Sequence, residues 1–210
     1  MKKIITLIFS LFLLPAFASA SVYEEGKHYI VVSEKATAKP ELREYFSFYC
    51  PACRGFEPLL AEFEKLMPEG ATLEKTHVDF MGHTSPEIQY MLSKALIVAE
   101  KTGVAKKFSS NIFNHIQTKR GKIDNQDDVR DIYVASGGDA AKFDKGMKNF
   151  SVVSQAKKNK KVQTKLSAKR ALKSVPTFVV NGKYLINVKA LDRQNYIQDY
   201  KNLIAYLFTK

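Results

Sequence analysis

Residues 42–53 read LREYFSFYCPAC, and residues 54–66, RGFEPLLAEFEKL, follow without a break. The first stretch is aromatic-rich up to the cysteine and reads as a strand. In the second, Phe56, Leu59, Leu60, Phe63 and Leu66 recur at helical spacing. A strand that ends at Cys50 and a helix that opens there send the chain through a tight corner at Cys50-Pro51-Ala52-Cys53. Pro51 suits the first helical turn, where its missing N–H is no loss. Whatever fold forms must accommodate that corner.

The corner also holds the only two cysteines among 210 residues. A disulfide across so short a loop constrains the unfolded chain very little, so stabilisation is a poor reason for it. A structural zinc wants four protein ligands. His28, His77, His83 and His115 are scattered singly and form no paired spacing with the thiols, so no metal is assigned. Redox chemistry fits the C-x-x-C spacing better. At the helix N-terminus Cys50 meets unpaired amides and the positive end of the macrodipole, which favour a thiolate. Cys53, one turn inside, is expected to be more buried and to act as the resolving thiol.

Lys2 and Lys3, the apolar run Ile4–Leu14, and small residues at Ala16, Ala18 and Ala20 have the order of a secretory leader. The run is shorter than the ~20 residues a spanning helix needs. Residues 1–20 are therefore expected to be a signal peptide, cut after Ala18 or Ala20, and the mature chain to be periplasmic and without stable membrane insertion. Its loss lowers the formal charge from +12 to +10. The densest basic run, Lys157-Lys158-Asn159-Lys160-Lys161, lacks interleaved aromatics or glycines and reads as a solvated helix face. Nucleic acid is not an expected partner of an exported protein, and attraction to acidic clients or anionic lipid is unspecific.

Short strands are expected at Tyr29–Ser33 and Thr72–Asp79. Ser85 and Pro86 then open a helix that ends at Gly103. A second helix runs through Phe108, Ile112, Phe113 and Ile116 to Gly121. A third covers Asp127–Ser136. Asp139 caps a fourth through Phe143, Met147 and Phe150, and a long helix covers Ser151 to Lys173. Pro176–Val180, Asn181-Gly182 and Lys183–Ile186 read as a hairpin, and a helix from about Asp192 closes the chain. The pattern is an α/β scaffold interrupted by an all-helical insertion.

EYFSFYCPACRGFE, LMPEG followed by KTHVDFMG, and SVPTFVVNGKY together resemble the DsbA-type thiol:disulfide oxidoreductases of the bacterial periplasm. The resemblance spans essentially the whole mature chain. It implies a thioredoxin fold with an inserted all-helical domain, divided as 21–82, 83–160 and 161–210. It implies that Cys50 attacks, that Cys53 resolves, and that Pro176 is a cis proline facing them. Pro51, Ala52, Val175 and Thr177 would then border the client. Glu44 matches a buried acid beneath the disulfide, Lys75 its cationic partner, and Glu57 an acid on the active-site helix with a possible role in electrostatic tuning. A carboxylate there can relay a proton to the leaving sulfur.

The departure is Ala52, where the family's familiar motif has a histidine that helps hold the thiolate. Alanine predicts a higher Cys50 pKa and a less oxidising couple than the family reference of about −120 mV. The implied partners are unfolded or newly exported proteins with thiols and a DsbB-like membrane quinone reductase. A monomer and no cofactor are expected. The alternatives are a periplasmic reductase or isomerase, which Ala52 brings closer, and a non-redox peptide-binding chaperone.

Overall fold

The computed structural model describes residues 23–210, so the expected leader and its cleavage site lie outside the described residues. Strands β1 (Tyr29–Val31), β2 (Glu41–Phe46), β3 (Thr72–His77), β4 (Thr177–Val180) and β5 (Tyr184–Ile186) form one sheet in the order β1-β5-β4-β2-β3. Only β2 and β3 are parallel, and α1 (Pro51–Glu64) makes the crossover between them. The hairpin turn is set by Asn181 and Gly182, with φ of 53° and 61°, and closed by the Lys183 N–H on the Val180 carbonyl at 3.0 Å. Both central residues need positive φ, which Asn-Gly supplies at little steric cost.

Five α-helices separate β3 from β4: α2 (Pro86–Lys101), α3 (Ala105–Phe113), α4 (Gln126–Ala135), α5 (Ala140–Lys148) and α6 (Phe150–Ala168). Ser85, Asn125, Asp139 and Asn149 cap α2, α4, α5 and α6 with their side chains, each satisfying N–H groups the helix leaves open. Gly146 lets α5 approach α2, since a Cβ there would stand 2.9 Å from the Val98 methyls. α7 (Tyr196–Phe208) ends the chain.

The pleat of β2 sorts the core. Leu42 faces α1 and α7, where Phe63, Phe178 and Tyr200 pack ring on ring at 5.5–5.6 Å. Tyr45 faces the other way, with Val179 and Leu185, onto Leu166 of α6. Phe46 and Phe48 join the core of the inserted helices, beside Leu92, Phe108, Phe113 and Tyr133. The strand end and the cysteine corner are thus wedged between the sheet and the helical block.

Several boundaries differ from expectation. β2 stops at Phe46, because Ser47–Tyr49 turn instead: the Cys50 N–H reaches the Ser47 carbonyl at 3.0 Å and the Tyr49 N–H the Ser47 hydroxyl at 3.1 Å. The helix expected through Ile116 changes at Asn114 into a π-helical turn, Asn114–Thr118. The fourth helix ends before Phe150: Asn149 takes an extended ψ of 133° and restarts the chain as α6, which turns Phe150 out to 85% exposure. The division expected at residue 160 falls inside α6. Val152 and Ala156 of its first half belong to the helical core, and Leu166 of its second half to the sheet.

Candidate active site

Cys50 is the N-cap residue of α1, in extended conformation, and its sulfur accepts the Cys53 N–H at 3.1 Å. Both cysteines are free and buried. The Cys53 thiol, together with the Cys53 and Ala52 amides, outweighs burial and lowers the Cys50 pKa to about 7. Cys53 goes the other way. Burial, then the neighbouring Cys50 and the Glu44 charge, pushes its pKa far up. Position at the helix end separates two identical side chains into a ready thiolate and a thiol that holds its proton. Pro51 and Ala52 are exposed on the first turn, so the corner opens to solvent on that side.

The loop before β4 closes over the pair. The Val175–Pro176 bond is cis, and the Cys50 thiol lies 3.4 Å from the Val175 carbonyl, to which it donates. Thr177 is buried and spends its hydroxyl on the Ser174 carbonyl at 2.7 Å. Its side chain is therefore committed to shaping the loop.

Beneath Cys53 stand the three charged residues. Glu44 of β2 is fully buried, and Lys75, its partner in register on β3, approaches one carboxylate oxygen at 3.3 Å. That contact is an ion pair without good hydrogen-bond geometry, and neither Glu44 oxygen has another partner. Burial therefore dominates, and although Lys75 opposes it, the Glu44 pKa rises to about 7. Lys75 bonds Glu57 of α1 and lies 4.3 Å from the centre of the Phe46 ring. Burial draws its pKa down, but Glu44 and Glu57 outweigh that and raise it. The structure thus brings Glu44, Lys75 and Glu57 into one cluster, and Glu44 is its member in electrostatic contact with both sulfurs.

Two supports of the corner escaped the sequence reading. Gln117, on the π-helical turn, donates its side-chain amide to the Phe48 carbonyl at 2.8 Å and the Cys50 carbonyl at 3.1 Å. Arg54 of α1 reaches Thr118 at 2.6 Å, tying the same turn to the cysteine helix. A single widened turn inside an apolar helical pattern leaves no mark in spacing, although such turns often occur at functional sites. His77, weighed as a metal ligand, is buried and stacks on Phe48 at 4.9 Å. Burial lowers its pKa to about 3, so it is a neutral prop for the turn. Among the described residues no three His, Cys, Asp or Glu side chains converge as a metal site.

A model of the DSBA-like thioredoxin domain matches residues 41–200. The thiol:disulfide interchange protein DsbA of Pectobacterium carotovorum subsp. carotovorum is 34% identical over 199 residues, 92% of either chain. That of Escherichia coli strain K12 is 35% identical over the same share. Among solved structures, a peptide complex of Proteus mirabilis DsbA aligns with a TM-score of 0.79 and 27% identity, covering 90% of this chain and 100% of that one. Klebsiella pneumoniae DsbA aligns with a TM-score of 0.77 and 30% identity over 91% and 100%. The helix-capping cysteine, its buried partner and the sheet that carries them therefore form a thioredoxin fold with inserted helices, and the chain belongs to the DSBA-like thioredoxin domain family.

Proposed function

We propose that this thiol:disulfide oxidoreductase works in the periplasm, after loss of residues 1–20, as a donor of the Cys50–Cys53 disulfide to exported proteins. A client thiolate attacks the Cys50 sulfur, the Cys50–Cys53 bond breaks, and Cys53 leaves with the electron pair and takes a proton. A second client thiolate then attacks the client sulfur of the mixed disulfide, and Cys50 departs as a thiolate. The client is oxidised by two electrons and the cysteine pair is reduced. A DsbB-like membrane quinone reductase would return the pair to the disulfide, with the quinone taking the two electrons and two protons.

The observation that carries this reading is the placement of the two sulfurs: Cys50 caps α1 and accepts the Cys53 N–H at 3.1 Å, while Cys53 is fully buried one turn in. A Cys50 pKa lowered to about 7 makes it the better leaving group, while Cys53 holds its proton once released. Glu44, with a pKa raised to about 7, has the affinity to pass that proton. Lys75 and Glu57 set its charge. Exposed Pro51 and Ala52 together with the Val175 backbone would border an extended client segment, and the Thr177 side chain would serve the loop. The peptide-bound form of the Proteus mirabilis relative is in keeping with such a ligand. The parts 21–82 and 161–210 would carry the chemistry and 83–160 the cover.

With Cys53 replaced by Ala, the Cys50 thiolate is expected to attack a disulfide already present in a client, releasing one client thiolate. The mixed disulfides then persist as reductant-sensitive adducts, because no resolving thiol remains. Replacing Cys50 by Ser is expected to abolish them and all oxidation of a reduced test protein. Adducts that survive the Cys50 change would refute the assignment of the attacking sulfur. The reductase or isomerase reading draws on Ala52, since nothing at that position adds charge to the thiolate. A couple measured against glutathione below about −270 mV, the thioredoxin value, would favour it over the donor role.

A further inference from the structure

Helix α6 carries Lys157, Lys158, Lys160, Lys161 and Lys165 and no acidic residue. No Asp or Glu occurs anywhere between Asp144 and Asp192. Its buried residues, Val152, Ala156, Gln163 and Leu166, mark the inner side. By helical geometry the outer side is the row Phe150, Ser154, Lys157, Lys161 and Lys165, all of them exposed. Lys160 is paired with Asp79 at 2.6 Å, whereas no salt bridge among the described residues engages Lys157, Lys158, Lys161 or Lys165. Lys157, Lys161 and Lys165 stand four residues apart, where like charges repel and weaken a helix. Of the three, only Lys165, in the last turn, is placed to offset the helix dipole.

Phe150 heads the row and is 85% exposed. Beside it, Lys101 of α2 and Lys142 and Lys145 of α5 line an open hollow of about 210 Å³ with Asn149 and Ser151. The nearby acids are engaged: Asp144 holds Arg130 at 2.9 Å, and Asp139 caps α5 through the Lys142 N–H at 2.8 Å. Lys158 and Lys165 also border a separate hollow of about 320 Å³ with Val32, Arg43 and Val179. Phe150, Lys157 and Lys161 stand outside it on the exposed side of the helix, with Phe150 the one protruding aromatic ring. A peptide wants a groove with fixed polar partners. A plane of mobile phosphates wants what α6 offers, namely spread positive charge and an apolar side chain to enter the interface.

We propose that the outer face of α6, with Phe150 and the lysine-lined hollow at its head, docks the protein on an anionic phospholipid surface. α6 covers the sheet face that carries Tyr45 and Val179, whereas α1 covers the face that carries Leu42 and Phe178. Docking through α6 therefore leaves the cysteine helix uncovered, whichever way the disulfide travels.

The test uses residues 21–210, which contain every described element, in co-sedimentation with vesicles of phosphatidylglycerol and phosphatidylcholine or of phosphatidylcholine alone. Binding is expected only with phosphatidylglycerol at about 25 mM salt, and is expected to fall steeply by about 500 mM. Changing Lys157, Lys161 and Lys165 to Gln should lower the partition coefficient roughly a hundredfold, at about fivefold per lysine. Phe150→Ser should lower it severalfold and leave insulin reduction unchanged. Absence of binding at low salt, or equal binding to phosphatidylcholine alone, overturns the proposal. So does an equal loss on changing Lys27, Lys65 and Lys189 to Gln, which would report net charge alone. Loss of binding to a polyglutamate competitor, with no effect of Phe150→Ser, would assign the face to acidic proteins instead.

Discussion

Arg43 and Glu44 are consecutive residues of β2, and the pleat sends them to opposite faces of the sheet. Arg43 is well partnered: its guanidinium grips both Glu41 oxygens at 3.0 Å and the Thr76 hydroxyl at 2.9 Å. Glu44 has one ion pair at 3.3 Å and no hydrogen bond. The first charge is locked in a bidentate clamp that holds a strand edge under α6. The second is left short of partners under Cys53, where its proton affinity has risen to about 7. Pairing of this kind makes the first charge structural, whereas the proposed donor role uses the second, whose pairing is incomplete.

The largest effect that would sharpen this contrast falls on stability. Arg43→Met leaves the Glu41 carboxylate, 13% exposed, without its clamp and near Glu74. The pair is part-exposed, 19% at Arg43 and 13% at Glu41, so its loss costs somewhat less than that of a fully buried pair, about 2–3 kcal/mol. Urea unfolding is expected to show that loss, while the rate of disulfide exchange stays as it was. A parallel fall in exchange rate would break the division between the two faces.

Glu44→Gln should do the reverse. A folded-state pKa raised to about 7 means that the folded protein holds this proton more tightly than the unfolded chain does. The stability it gives is complete below the ordinary carboxylate pKa and is lost as pH rises through about 7. Above that the ionised Glu44 burdens the fold by up to about 3 kcal/mol. Lys75 keeps Glu57 in the variant. The expected result is a gain of about 2 kcal/mol near pH 8 that vanishes near pH 4, with slower release of Cys53 and a flatter pH profile of exchange near neutrality. No gain in alkaline unfolding curves would show that Glu44 is better solvated than its burial implies.

Local chemistry made much of this legible in the sequence. The Asn181-Gly182 turn, the Ser85 and Asp139 caps and the cysteine corner each depend on residues adjacent in the chain. Glu44, Lys75 and Glu57 came from the family resemblance, by their match to its motif positions. The rest depends on what the chain meets far away. Phe48 reads as a strand residue but lies beyond β2, which ends at Phe46, and both rings enter the helical core. Phe143, Met147 and Phe150 share one apolar period, yet Asn149 breaks it and exposes the last of them. Gln117 grips the corner from nearly seventy residues downstream through a π-helical turn. No spacing rule anticipates that contact.

The smallest expected effect concerns Ala52, which tests whether the thiolate can be tuned from the exposed side while the floor beneath Cys53 stays as it is. The Cys50 charge is held now by the Cys53 thiol and by the Cys53 and Ala52 amides, and the Ala52 methyl adds neither donor nor charge. Ala52→His places an imidazole two residues from the N-cap and keeps the backbone amides in place. A protonated ring there favours the thiolate by about 1.4 kcal/mol, or about one pKa unit. The reduced form gains that energy and the disulfide does not, so the couple should become more oxidising by about 30 mV. Thiolate absorbance against pH should shift downward from about 7, while urea unfolding of the disulfide form should not change. If the histidine leaves the Cys50 titration in place and Glu44→Gln moves it instead, control of the thiolate resides in the buried carboxylate beneath the pair.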